Sequence, residues 1–273
     1  MQRIVMVMGC LLLFASGHAH ASKPTVKTQS APIIGKTKAS RLLSSIPRHS
    51  KSDSDESVTQ NKLQGQFNVA NNYLFRGISQ TNNLPAAQGG ASYSFAKTGV
   101  YVGLWGSNVH FVDVRNNTAF IELNPSIGIA KTINNHVNYD ISLTRYSYPN
   151  MVHTDYNELN AYLNYHLLMA HVAYSNDVYA TGKSGEYYNL GINYLIPSKY
   201  IHQIKKVHIT AGIGYSQLPQ NAGLRSYQDY QISINKTFHE FACAIQWTDT
   251  NGRSVDPRSL KGNLFTVTVG RSF

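Results

Sequence analysis

Apolar and polar residues alternate along most of the chain after residue 64. The stretch 136–144 reads HVNYDISLT, in which every second residue is apolar, and the same period of two recurs over 187–196 and 207–216. A period of two is typical of β-strands with one apolar and one polar face. The dominant pattern therefore predicts an all-β fold.

Twelve segments of this kind are predicted. They lie near 64–78, 88–96, 100–111, 118–131, 136–147, 156–166, 168–177, 186–196, 206–217, 227–236, 238–248 and 263–273. Short turns alternate with longer loops between them, and only the link at 197–205 breaks this series. An even number of antiparallel strands closes without a free edge, and short periplasmic turns with longer extracellular loops are typical of outer-membrane proteins. The pattern predicts a closed antiparallel transmembrane β-barrel of about 12 strands.

The last predicted strand distinguishes a membrane barrel from a soluble one. In LFTVTVGRSF, one face carries Phe265, Val267, Val269 and Phe273. An aromatic residue at this place is a familiar assembly signal of outer-membrane barrels, so Phe273 is the candidate contact for the barrel-assembly machinery. A soluble lipocalin-like barrel or double sandwich is the alternative, but the many small residues on the polar faces favour a hydrated interior.

The first residues have the layout of a secretory signal peptide. An early arginine precedes an apolar run from Ile4 to Ala15, and small residues end at Ala21. We predict a signal peptide over 1–21, cleaved after Ala21. The alternative, a membrane anchor helix, needs about 20 apolar residues, which is more than this run provides. The expected destination is the bacterial outer membrane.

The positive charge is concentrated in the segment that follows. The chain has 24 Lys and Arg against 14 Asp and Glu, and residues 22–63 alone hold eight against three. This segment is also rich in serine, threonine and proline, which predicts a disordered basic periplasmic extension over 22–63 and a barrel over 64–273. We therefore expect no nucleic-acid partner. The expected partners are outer-membrane lipid and lipopolysaccharide.

Several stretches of the chain resemble one protein family. They are NVANNYLFRGISQTNNLPAAQGGASYSF, GVYVGLWGSNV, IELNPSIGIA and YNELNAYLNY, and the resemblance covers residues 64–273. They resemble the TorF-like porin family, formerly a conserved hypothetical family of exported proteins. The resemblance implies an outer-membrane barrel with a porin role, and it implies no chemistry.

The alternation also predicts which side chains face the lumen. If apolar residues face lipid, Tyr73 and Phe75 point outward while Arg76 points inward at the extracellular end. The candidate pore-lining residues are Arg76, Glu122, Asp140, Glu158, Asp229 and Glu240. Arg76 is expected to face Glu122 and Glu158, either as an ion-pair brace or as a selective constriction that contacts solute. The third strand, 100–111, could face either way.

These features favour a non-enzymatic, narrow porin for passive diffusion of small hydrophilic solutes. Twelve strands lie between the eight of side-chain-filled barrels and the sixteen to eighteen of aqueous channels. A closed structural or adhesive barrel is one alternative. An outer-membrane lipid hydrolase is another, for which only His171 and Ser175 share a strand face. The histidines lack ligand spacing, so we expect neither a metal nor a cofactor.

Overall fold

The structure, a computed structural model, describes residues 60–112, 117–133, 137–197, 207–251 and 262–273. The predicted signal peptide, nearly all of the predicted basic extension and the linking segment 198–206 lie outside the described residues. The strands are β1 (Lys62–Ala70), β2 (Leu74–Phe75), β3 (Ile78–Ser79), β4 (Ala86–Ser94), β5 (Val100–Val112), β6 (Thr118–Ile133), β7 (Val137–Tyr146), β8 (Tyr156–Tyr165), β9 (Leu168–Ser175), β10 (Gly185–Leu195), β11 (Val207–Gln217), β12 (Tyr227–Phe238), β13 (Phe241–Thr250) and β14 (Leu264–Ser272). Two 3₁₀ turns lie at Val178–Ala180 and Gln220–Ala222.

Twelve of these strands, β1 and β4–β14, form one closed barrel. Each strand pairs antiparallel with both of its neighbours, and β1 pairs with β14 to close the ring. Closure leaves no unpaired edge, because every wall strand has a partner on each side. The predicted fold class and strand number are confirmed.

Among the connections that the structure describes throughout, the shorter and the longer ones lie at opposite ends of the barrel. Short connections lie at one end, which we call the short-turn end, at 95–99, 166–167 and 239–240. Longer connections lie at the other, the long-loop end, at 71–85, 147–155, 176–184 and 218–226. This segregation agrees with the sequence-based prediction and distinguishes the two mouths of the barrel.

Alternation along each strand separates an apolar outer face from a polar inner wall. On β6, Ile121 and Leu123 are exposed on the outside while Glu122 is buried inside. On β8, Leu159 is likewise exposed and Glu158 buried. These directions are as predicted, and they recur around the barrel because successive side chains of a strand point to opposite faces.

The structure also fixes the direction of the strand that the sequence left open. On β5, Tyr101, Trp105 and Ser107 are buried inside, whereas Val102 and Leu104 are exposed outside. The two large aromatic residues therefore narrow the lumen. The inner wall near the short-turn end carries smaller polar residues that are only partly buried, such as Asn138 and Asn164.

The first wall strand is shorter than predicted. The sequence predicts one strand over 64–78, but β1 ends at Ala70 and the chain turns into the barrel. Residues 71–85, which we call the inner hairpin, contain β2 and β3 and lie inside the long-loop end. The wall resumes with β4 at Ala86.

The inward course of residues 71–85 contradicts one predicted orientation. The side chain of Tyr73 is almost fully buried and packs 5.5 Å from Trp105, and Phe75 packs 5.7 Å from Tyr146, measured between ring centroids. The prediction that Tyr73 and Phe75 face outward is therefore wrong. An aromatic cluster inside a barrel produces the same alternation as a lipid-facing strand, because both are apolar.

Asparagine side chains complete the wall where backbone pairing stops. Beyond the end of β1, Asn71 donates to the carbonyl of Phe265 at 3.1 Å and accepts from the N–H of Val267 at 2.7 Å. The side-chain amide thereby makes the pair of bonds that a strand backbone would make. Asn108 and Asn150 do the same at the long-loop end.

Candidate functional site

The inner hairpin places an arginine at its tip. The tip residues Arg76 and Gly77 have φ of 48° and 80°, and they connect β2 to β3. Two consecutive positive φ angles are typical of a type I′ turn, whose twist matches a two-stranded hairpin. Glycine takes this conformation freely, but an L-residue pays roughly 1–2 kcal/mol for it. The arginine must therefore be held by contacts of its side chain.

The guanidinium of Arg76 makes a buried ion pair with Glu158. The Nη2 atom donates to both carboxylate oxygens, at 2.9 and 2.8 Å. The two side chains are 5% and 2% exposed, so the pair is removed from water. Breaking such a pair from one side leaves an uncompensated buried charge, which costs about 3–5 kcal/mol.

Aromatic rings complete the surroundings of this guanidinium. Its central carbon lies 4.2 Å from the centroid of the Tyr187 ring and 4.7 Å from that of Phe75. Tyr146 donates its hydroxyl to Glu158 Oε1 at 3.2 Å. A cation over ring faces gains about 2 kcal/mol or more when it is desolvated. We use the name cation pocket for four residues around the guanidinium: Glu158, Tyr187, Tyr146 and Asp229, the last of which is described next.

Asp229 adds a second carboxylate to the cation pocket. It is 2% exposed, and its Oδ1 accepts from the Tyr187 hydroxyl at 3.3 Å. Among the described residues, its Oδ2 atom has no hydrogen-bond partner. The backbone of Gly77 packs directly on it, because a Cβ added to this glycine would lie 2.9 Å from the Asp229 Cβ. Asp229 therefore lies beside the residue that follows Arg76.

The other predicted carboxylates lie inside the barrel but bind different groups. Glu122 accepts from Asn124 Nδ2 at 2.7 Å and from the Tyr73 hydroxyl at 3.5 Å. Asp140 accepts from the Tyr101 hydroxyl at 2.9 and 3.2 Å. The structure thus brings Arg76 to Glu158 rather than to Glu122. All four carboxylates line the inner wall, and their role in lining a pore stays a prediction.

Glu240 is the exception among the candidate residues. It lies in the two-residue turn between β12 and β13, its side chain is 66% exposed, and it pairs with Arg271. Its predicted position on the inner wall is wrong. The alternation of β12 cannot be extended past its end, because the chain reverses there.

Two apolar clusters hold the inner hairpin in the mouth. On one side Tyr73 and Phe75 join a cluster with Trp105 and Tyr146, and on the other side Ile78 packs against Val178 and Leu218. Aromatic pairs of this geometry contribute about 0.5–1.5 kcal/mol each beyond their buried area.

The hairpin is also hydrogen-bonded within itself and to the wall. Asn72 accepts from the hydroxyls of Ser79 and Thr81, at 2.7 and 3.0 Å. The backbone of Gln80 accepts from the N–H of His110 on β5 at 2.7 Å. With the apolar clusters, these bonds make the hairpin a fixed constriction of the mouth.

Beside this mouth, Asp155 collects donors from the loop that precedes β8. Burial by itself raises the pKa of Asp155, but three donors outweigh it and hold that pKa below its usual value. The donors are the N–H of Tyr148 at 3.0 Å, the hydroxyl of Ser147 at 2.7 Å and the guanidinium of Arg145 at 3.1 Å. Ionised Asp155 therefore organises this loop.

Two histidines of the barrel, His171 and His208, are bound to neighbouring asparagines. His171 Nε2 lies 2.8 Å from Asn160 Oδ1, and its ring stacks on Tyr162 at 3.8 Å between centroids. Ser175 is four residues further along β9, about 13 Å away at strand spacing. His208 Nδ1 lies 3.0 Å from Asn193 Oδ1. In the part of the chain that the structure describes, no group of three or more His, Cys, Asp or Glu residues could hold a metal ion.

Sequence reasoning missed the tyrosines of the cation pocket. Alternation gives only the face of the strand on which each tyrosine lies, and nothing local marks the contact of Tyr187 with Arg76 or of Tyr146 with Glu158. One signal for the hairpin itself was present. Arg76-Gly77 stands between apolar residues, and a glycine at a two-residue turn is a hairpin signal.

The chain is similar in structure to several porins. With the KdgM porin it shares 10% sequence identity at a TM-score of 0.47, covering 77% of this chain and 99% of that one. With the NanC porin it shares 9% sequence identity at a TM-score of 0.46, covering 78% of this chain and 99% of that one. With OccAB3 of Acinetobacter baumannii it shares 9% sequence identity at a TM-score of 0.41, covering 78% of this chain and 64% of that one. Likenesses this distant say nothing about what the present barrel carries.

Comparisons at the level of sequence identify a family. No curated protein matches the chain. The described part of the chain contains no helical segment with the length and hydrophobicity of a transmembrane helix. One family model, described as "Bacterial protein of unknown function (Gcw_chp)", matches residues 54–273. This description carries no function, and the TorF-like name stays a prediction. Because the match covers most of its length, the chain belongs to the Gcw_chp family of bacterial proteins.

Proposed function

We propose that this protein is a non-enzymatic outer-membrane barrel and a narrow porin for small hydrophilic solutes. The observation that carries the proposal is the division of one closed wall into an apolar outer face and a polar inner face. A closed barrel satisfies every backbone donor and acceptor of its wall, as the bilayer interior requires. The polar inner face then offers solutes a path through the same wall.

The outer face fits a lipid environment. Large apolar side chains project from it around the barrel, with tyrosines and phenylalanines towards the ends, such as Tyr188, Tyr194, Phe238 and Phe265. In water this surface would be costly, at about 25 cal/mol for each Å² of apolar area. In our proposal it contacts outer-membrane lipid and lipopolysaccharide after export through a cleaved signal peptide and insertion by the barrel-assembly machinery.

The charges of the inner wall determine the expected selectivity. The inner wall carries four buried carboxylates, those of Glu122, Asp140, Glu158 and Asp229, and the inner hairpin contributes one buried guanidinium, that of Arg76. Exposed charges on turns and loops are screened beyond about 8 Å at physiological salt, whereas charges in a confined lumen act on a solute directly. We therefore propose a weak cation preference, although the formal net charge of the chain is +10.

Single-channel recording on the refolded protein in a planar bilayer tests this function. We expect small conductance steps and a reversal potential, under a salt gradient, of the sign for weak cation selectivity. Arg76→Ala should strengthen that selectivity, and replacing Glu122 and Glu158 together with glutamine should weaken it. Glu240→Gln is the matched control, because this carboxylate lies in an exposed turn. A strongly anion-selective wild type would contradict the proposal.

A second function is favoured by the inner hairpin itself. Because the hairpin packs against the wall on two sides, the barrel could serve as a closed structural or adhesive protein that displays its long loops. In that case neither the wild type nor a variant with a displaced hairpin conducts ions. Conductance in either one excludes the closed-barrel function.

A further inference from the structure

The cation pocket has the composition of a binding site for an organic cation. A carboxylate accepts two hydrogen bonds from the guanidinium of Arg76, and ring faces cover it. These are the two devices by which proteins recognise guanidinium and ammonium groups. The present occupant belongs to the chain itself and reaches the pocket at the tip of a hairpin rather than from the wall.

The pocket carries more negative charge than its occupant neutralises. Glu158 is paired with Arg76, but Asp229 is buried beside Gly77, and among the described residues its Oδ2 has no hydrogen-bond partner. Two buried carboxylates therefore lie beside the hairpin tip, which carries one cation. An anionic solute would be repelled here, and a neutral one would leave the carboxylates without a counter-charge.

We infer that the cation pocket binds the guanidinium or primary ammonium group of a permeating solute, and that Arg76 occupies it as an internal ligand which such a solute displaces. The inference rests on the proposed porin function, and it names the solute class: small organic cations. Displacement would release the tip of the inner hairpin from Glu158. The same step would therefore free the tip of this constriction in the presence of the solute that caused it.

Chemical complementation tests the cation pocket through the stability of the protein, so the test does not depend on ion conduction. Arg76→Ala removes the side chain beyond Cβ, and ethylguanidinium supplies the missing ethyl and guanidinium atoms. Ethylurea has a similar shape and no charge. We expect the unfolding midpoint of the refolded variant, followed by gel mobility after stepwise heating, to rise with ethylguanidinium and saturate. The rise should be roughly 2–4 °C at about five times the dissociation constant of the probe. Ethylurea should leave it unchanged.

Two further proteins control this experiment. Arg145→Ala removes an exposed arginine at the same end of the barrel, one whose partner is Asp155, and it should respond to neither probe. Arg76→Lys keeps the charge that the fold needs but lacks the planar fork. Ethylguanidinium should therefore stabilise the lysine variant too, by less than it stabilises the alanine variant.

The outcomes separate this inference from the function on which it rests. If neither Arg76 variant is stabilised more by ethylguanidinium than by ethylurea, the pocket is no cation site and the inference is overturned, even when the barrel conducts. If the variants respond while no form of the barrel conducts, the cation site stands and the porin function fails.

Discussion

Replacing Gly77 with alanine should expel the inner hairpin from the mouth of the barrel. The glycine has a φ of 80°, which an L-residue adopts at a cost of roughly 1–2 kcal/mol. The added Cβ would also lie 2.5 Å from Thr250 Cγ2 and 2.9 Å from Asp229 Cβ. Overpacking of this kind costs about 1–3 kcal/mol. The docked hairpin is therefore destabilised by about 2–5 kcal/mol in total.

Trypsin measures this change, because its target lies at the hairpin tip. The Arg76 side chain is 5% exposed in the docked hairpin, and cleavage after it requires undocking. Proteolysis of a transiently opened segment follows the population of the open form. Since each 1.4 kcal/mol changes an equilibrium tenfold, cleavage after Arg76 in Gly77→Ala should be about 30- to 4,000-fold faster than in the wild type. Cleavage after Lys183, which is exposed, gives the reference rate.

Gly223→Ala is the matched control for backbone strain. Gly223 has a φ of 78° at the same end of the barrel, and a Cβ there would meet nothing within 4 Å. The control therefore carries the same strain without the clash, and cleavage after Arg76 should stay at the wild-type rate. If Gly77→Ala is as resistant after Arg76 as the wild type, the hairpin is not docked as described and the argument for a constricted mouth fails.

Further predictions concern the wall and its rim. The refolded protein should migrate faster on a gel when unheated than when boiled, because a closed barrel resists detergent; identical mobility would contradict the membrane barrel. Phe273 exchanges two backbone hydrogen bonds with Gly65, of 2.8 and 3.0 Å, across the β1–β14 junction. Phe273→Lys keeps these backbone bonds, but it replaces an exposed aromatic ring with a charge and removes the predicted assembly signal. It should reduce the yield of folded barrel far more than Gln64→Lys, and equal yields would refute this. Asp155→Asn should lower the unfolding midpoint at neutral pH. Because the pKa of Asp155 is depressed in the folded state, its contribution is complete above the unfolded pKa of about 3.9 and is lost as the pH falls through the lower folded value. A difference between the two proteins that is as large at pH 3 as at pH 7 would count against this role.

The wall could be predicted from the sequence because a membrane barrel leaves each strand little choice. Lipid on one side and a polar lumen on the other impose a period of two, so the burial of Glu122 and Glu158 follows from their apolar neighbours. β5 defeated the same reasoning. Its inward face carries Tyr101 and Trp105, which are as apolar as the outward residues. Alternation alone then cannot show which face of the strand points into the barrel.

The inner hairpin could not be predicted because its burial depends on contacts far along the chain. Tyr73 continues the alternation of β1, yet it packs against Trp105 on another strand. The partner of Arg76 is separated from it by 82 residues. The sequence did indicate that Arg76 faces carboxylates, because the alternation along the strands places several acidic residues on the same inner face as Arg76. Which carboxylate it binds is decided by the three-dimensional course of the hairpin.

The asparagine beyond β1 has a consequence for how the protein can vary. A chain that leaves the wall of a membrane barrel exposes the neighbouring strand, and unpaired backbone groups in lipid are very costly. Asn71 supplies the missing donor and acceptor to β14 from its side chain. The backbone groups of Phe265 and Val267 on β14 are therefore satisfied before the hairpin begins. The closure of β14 therefore does not restrict the length or charge of the chain between Asn71 and Ala86, so wall closure and the chemistry of the mouth can vary separately in this fold.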